Sequence, residues 1–91
     1  MVIELLPEST AMLGTLGWAQ YKNGRPDEAA GTLQRAVMAA PQDAMKNYLL
    51  GVVQLENGHP DEARRALTTA LEEPLFARAD RARELLARLE R

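Results

Sequence analysis

The sequence has no cysteine, a single histidine and a single serine. Without cysteine there is neither a disulfide framework nor a thiolate metal site, and the redox compartment is left open. Ser9 has no histidine near it and no buried base suggested by the pattern, so a nucleophilic triad lacks its parts. The glycines are scattered rather than gathered into a phosphate-cradling loop. Long apolar runs are missing as well. The opening MVIELLPEST has no basic start and only four apolar residues between Met1 and Pro7, too few for a secretory signal or a membrane span. Neither sign of charge dominates: 11 basic residues against 13 acidic give −2, which argues against a general nucleic-acid footprint. At 91 residues the chain makes one domain at most. A domain of that size buries only about 60 to 65% of its unfolded surface, leaving little room for an enclosed active site.

What is present is a duplication. NGRPDEA at residues 23–29 returns as NGHPDEA at 57–63, a displacement of 34. The same shift lays Leu16 and Gly17 on Leu50 and Gly51, Gln20 on Gln54, Leu33 on Leu67, Ala36 on Ala70, Val37 on Leu71, and Pro7 on Pro41. A period near 34 with this punctuation is that of a helix-turn-helix solenoid unit. Gly24 and Gly58 can close a helix in the left-handed conformation, and Pro26 and Pro60 can open the next one, where a missing backbone donor costs nothing. Asp27, Glu28, Asp61 and Glu62 then meet the positive end of the helix dipole, which explains these paired carboxylates without catalysis or metal binding. His59 stands in the turn where Arg25 stands in the first copy, and reads as a solvated turn residue.

The pattern predicts helices over residues 10–23, 27–40, 44–57 and 61–73, and a fifth from 75 to 90. Ala29, Leu33, Ala36, Val37 and Ala40, then Ala63, Leu67, Ala70 and Leu71, recur at helical spacing as inward stripes. Gly17 and Gly51 are expected to let the paired helix approach at Ala29 and Ala63. Leu13, Leu16, Gly17 and Gln20 share the core side of the first helix, and Leu50, Gly51 and Gln54 that of the third. Ala11, Gly14, Trp18, Tyr21 and Lys22, and correspondingly Met45, Tyr48, Val52, Leu55 and Glu56, lie on the other side. In the fifth helix Ala79, Ala82, Leu85, Leu86 and Leu89 form an apolar stripe opposite Asp80, Arg81, Glu84 and Arg88. Residues 75–91 hold five arginines against three acids, interleaved as in an exposed salt-bridged face rather than a phosphate-binding strip.

On these residues the chain resembles two tetratricopeptide repeats followed by a capping helix. The matching positions are Leu16, Gly17, Gly24, Ala29, Leu33, Ala36 and Pro41 in the first repeat, and Leu50, Gly51, Gly58, Ala63, Leu67 and Ala70 in the second. The resemblance implies an all-α fold in which antiparallel helix-turn-helix repeats stack as a right-handed superhelical solenoid. The expected division is a remnant of a preceding repeat helix at 1–9, repeats at 10–43 and 44–74, and a C-terminal capping helix at 75–91. Asn47 departs from the usual large apolar residue, Gln20 and Gln54 from the usual aromatic, and Pro74 arrives one residue early.

The resemblance implies a non-enzymatic protein-interaction module, without cofactor, metal, nucleic acid or membrane insertion. Its concave groove would be lined by Trp18, Tyr21, Lys22, Met45, Tyr48, Val52, Leu55 and Glu56. Trp18 and Tyr21 have an alternative reading as packing covered by a preceding repeat or by the N-terminal stub. The family's carboxylate clamp of lysine, asparagine and arginine is missing, with Gly14, Trp18 and Leu49 in its place, which disfavours a chaperone-tail-binding role. Two repeats are few for a covered solenoid, so Val2, Ile3, Leu5, Leu6, Met12 and Ala19 are candidate contacts of a homodimer. The stub reads as the end of an earlier repeat, making the chain the tail of a longer array. TLGWAQYKNGR resembles late repeats of large bacterial arrays, some similar to cell-envelope and exopolysaccharide assembly proteins. That leaves the compartment open between bacterial cytoplasm and periplasm.

Overall fold

The computed structural model describes residues 10–90, which form five α-helices and no strand. These are α1 (Thr10–Lys22), α2 (Pro26–Ala39), α3 (Ala44–Glu56), α4 (Pro60–Ala70) and α5 (Ala79–Leu89). Helices α1 and α2 pair, α3 and α4 pair, and the second pair stacks on the first mainly through α2 and α3. Helix α5 packs on α4.

The repeated heptapeptide does what its residue types require. Gly24 and Gly58 take φ of +78° and +75°. The following residues, Arg25 and His59, then donate their backbone N–H to the carbonyls of Gln20 and Gln54, each at 2.9 Å. Gly24 and Gly58 themselves donate to Tyr21 and Leu55, completing the left-handed helix-ending motif. Pro26 and Pro60 are the first residues of α2 and α4, with two acids behind them and no side-chain cap. Helix α3, which lacks the proline, is capped by Asp43, whose Oδ1 accepts from the Lys46 N–H at 3.0 Å.

Leu33 and Leu67 are the fully buried centres of the two repeats. Ala29, Ala36, Ala63 and Ala70 are buried beside them, as their spacing predicts, while Val37 and Leu71 are half-buried. The close approach permitted by Gly17 and Gly51 is made chiefly by the leucines. A Cβ at Gly17 would lie 2.5 Å from Leu33 Cγ, and one at Gly51 2.7 Å from Leu67 Cγ. The Ala63 carbonyl also comes within 3.4 Å of that position at Gly51, as the spacing predicts, whereas at Gly17 the three nearest atoms all belong to Leu33. Asn47 is buried, and its amide donates to the carbonyls of Pro41 and Asp43, both at 3.0 Å, closing the loop between the repeats. The two glutamines also bond internally. Gln20 Oε1 accepts from Thr32 Oγ1 at 2.7 Å, and Gln54 Oε1 is hydrogen-bonded to His59 Nδ1 at 3.0 Å. His59 thus holds its turn to α3 although the residue is exposed.

Three expectations need correction. Leu16, assigned to the core side of α1, is 47% exposed, whereas Leu13 is buried. Helix α4 stops at Ala70 rather than reaching 73, and α5 begins at Ala79 rather than 75. Pro74 disfavours helical backbone at Glu73, and the intervening residues form turns in which the Phe76 N–H donates to the Glu73 carbonyl at 3.2 Å. Phe76 then meets Tyr48 edge-on, ring centroids 5.7 Å apart, so an aromatic contact anchors this connection.

Candidate functional site

Helix α3 supplies the floor of a trough, with α1 and α5 contributing its walls. One hollow, of about 480 Å³, is lined by Ala11, Gly14, Trp18, Met45, Tyr48 and Arg78, among others. A second, of about 470 Å³, adjoins it across Trp18 and Tyr48 and continues past Tyr21, Val52, Leu55 and Leu85. A third carries the trough beyond Tyr21, Lys22 and Glu56 to the turn at Gly24 and Pro26. All eight residues assigned to the groove therefore border this row of adjoining hollows.

The trough is built by register. Trp18 and Tyr21 are three residues apart on α1, which stacks their rings with centroids at 5.0 Å and an interplanar angle of 35°. Lys22 Nζ sits 5.6 Å from the Trp18 ring centroid, within cation–π range. Glu56, in the position of the second repeat that corresponds to Lys22, accepts a long hydrogen bond from Tyr21 Oη at 3.5 Å. Partial burial, reinforced by the negative charge of Glu56, raises the pKa of the Tyr21 phenol above its ordinary 10.0. The phenol therefore stays a neutral donor in this wall at physiological pH.

The groove residues do not share one exposure. Trp18 and Tyr21 are half-buried and present ring area to the trough, whereas Tyr48 is only 7% exposed and packs with Leu67, Ala82 and Leu85 in the core. Its ring is wall more than contact surface. Val52, Leu55 and Met45 are half-buried, partly covered by the cluster that α5 completes.

The residues missed from sequence include Lys46 on α3, Leu85 and, above all, the arginines of the α5 side. Arg78, Arg81 and Arg88 line the trough together with Leu85. The ion pairs of Arg81 and Arg88 follow the expected interleaving: Glu84 is bonded by Arg81 at 2.8 Å and approached by Arg88 at 3.8 Å. The Arg81 hydrogen bond and charge hold the Glu84 carboxyl below its ordinary pKa. Spacing alone showed a salt-bridged face. It did not show that this face borders a groove, because that depends on how α5 docks.

The assigned dimer contacts divide. Met12 and Ala19 are exposed on α1, while Val2, Ile3, Leu5 and Leu6 lie outside the described residues. Among the described residues there is no cluster of three or more His, Cys, Asp or Glu able to hold a metal ion. None of the described helices is long and apolar enough to cross a membrane.

Two family models, both for the tetratricopeptide repeat, match the chain, one over residues 2–47 and the other over residues 48–91. No curated protein and no solved structure shows significant similarity to it. With both halves of the chain matched, and helix pairs closed by the same glycine-proline turn in each, the protein belongs to the tetratricopeptide repeat family.

Proposed function

We propose that the chain is a non-enzymatic docking module that holds a segment of a partner protein in the trough between α1, α3 and α5. The family is one of protein-interaction modules in general. The observation that carries the groove reading is the Trp18–Tyr21 ring pair, half-exposed on the wall of the trough. Exposed aromatics of this kind are where binding energy concentrates in protein interfaces. The trough residues have no histidine, no serine and no carboxylate pair with which to move a proton or attack a carbonyl.

Affinity capture on the full chain tests the reading, with Trp18→Ala against the parent. Trp18 is suited to this because it is only half-buried, whereas truncating Tyr48 would cut into the core. Leu75→Ser serves as control, since Leu75 is 88% exposed and is not among the residues that line the trough. The expected outcome is loss of partners with Trp18→Ala and retention with Leu75→Ser. Identical partner sets for Trp18→Ala and the parent would sink the assignment.

A second reading, self-association, is favoured by a row of exposed residues on α1. Met12, Leu16 and Ala19 follow helical spacing on one edge, with Met12 68% and Leu16 47% exposed. Pairing two copies across this edge would bury it. Light scattering coupled to size exclusion at micromolar and near-millimolar concentration should then show a mass that rises toward the dimer. A constant monomer mass, with a melting temperature insensitive to dilution, removes this reading.

A further inference from the structure

Charge distribution on the trough singles out one kind of occupant. Six ionisable side chains, tyrosines aside, line the first two hollows, and five of them are cations: Lys22, Lys46, Arg78, Arg81 and Arg88, against Glu56 alone. The whole chain carries −2, so the groove is positive on a molecule that is negative overall. Local pairing does not cancel the excess. Lys46 is matched by Asp43 at 3.4 Å, but Arg81 and Arg88 share the single carboxylate of Glu84. Among the described residues Arg78 and Lys22 make no ion pair.

The cations are also ordered. Arg78, Arg81, Leu85 and Arg88 succeed one another at three- and four-residue spacing, so the α5 side presents one row along its wall. Across the floor stands the aromatic wall of Trp18 and Tyr21, and the floor between is aliphatic, with Met45, Val52 and Leu55. Taking the trough as the docking site, we propose that its occupant is an acidic protein segment. Aspartate or glutamate side chains face the arginine row, and apolar anchors lie on the floor against Trp18. This differs from capture of a chain terminus, since the cations form a row along the groove rather than a clamp at one point. A nucleic-acid strand is the less suited polyanion. It offers no aliphatic groups for the floor, and Glu56 would face its phosphates.

The test is selection of random twelve-residue segments from a peptide display library on the full chain, at low salt. Enriched sequences are then resynthesised with amidated C-termini and their affinity is measured. The expected result is enrichment in Asp and Glu together with apolar residues. Binding should weaken about tenfold in Arg78→Gln/Arg88→Gln, the range expected from losing two partly exposed charge pairs. It should weaken comparably when salt rises from about 50 to 500 mM. Arg65→Gln/Arg83→Gln removes the same charge outside the trough and should leave binding within about twofold, since distant exposed charges are screened. Replacing the peptide's acids by their amides gives the same reading with the protein untouched.

Enrichment of neutral or basic peptides that still lose binding with Trp18→Ala would overturn the charge assignment and leave the groove standing. Peptides indifferent to Trp18→Ala would remove both. Single-stranded poly(dT) that displaces the peptides and binds more tightly than they do would overturn the proposal in favour of a nucleic-acid strand.

Discussion

At the scale of single residues, three helical glycines separate packing from propensity. Gly51 cannot carry a Cβ without driving it into Leu67 Cγ, the core of a fully buried side chain rather than its flexible end. Gly31, on the exposed side of α2, has nothing within 4 Å of the corresponding position. Thus Gly51→Ala is expected to destabilise by about 1–3 kcal/mol through overpacking, even against the helix-propensity gain. The same substitution at Gly31 should stabilise by about 0.5–1 kcal/mol. Urea denaturation of both variants checks this, and a stabilised Gly51→Ala would mean that the helices can part at no cost. Gly17 repeats the Gly51 situation against Leu33. These contacts were legible as spacing, but the atom that meets the glycine was not. Asn47 was legible only as an anomaly, because its role rests on two carbonyls placed by the loop at Pro41–Asp43.

At the scale of helices, the four repeat helices meet within a few residues of where the turn chemistry puts them, since the three turns between them are marked by a proline, glycine or capping acid. The link from α4 to α5 carries Pro74 alone, and nothing periodic in the sequence signals that Phe76 turns inward onto Tyr48. Helix α5 consequently does more than end the array. Leu85 is buried with Tyr48, Leu67 and Ala82, and it also borders the trough. Leu85→Ala is therefore expected to cost about 2–4 kcal/mol, read as a drop in melting temperature of roughly 10 °C or more for a domain this small. A loss below about 0.5 kcal/mol, the scale of an ordinary surface change, would show that α5 docks loosely and does not form a fixed wall.

At the scale of the molecule, the second helix pair stacks on the first and α5 on the second. Stacking of the repeats is reinforced by the Asn57 amide, which donates to the Pro26 carbonyl at 2.9 Å and ties the second turn to the start of α2. The trough is a product of that stacking, since neither repeat contains it alone. For this reason sequence periodicity could assign the α1 and α3 sides of the groove and could not assign the third. Trp18 is the only tryptophan in the chain, so its indole N–H gives one isolated resonance on the groove wall. The most direct measurement is a two-dimensional nitrogen–proton spectrum of the labelled full chain, recorded as a selected peptide is added. Occupation of the trough predicts that the Trp18 indole signal and the backbone amides of Tyr21, Val52 and Arg81 shift together and saturate, while those of Gly31 and Leu75 stay in place. Saturable shifts confined to the outer surface, with the Trp18 indole unmoved, would contradict it.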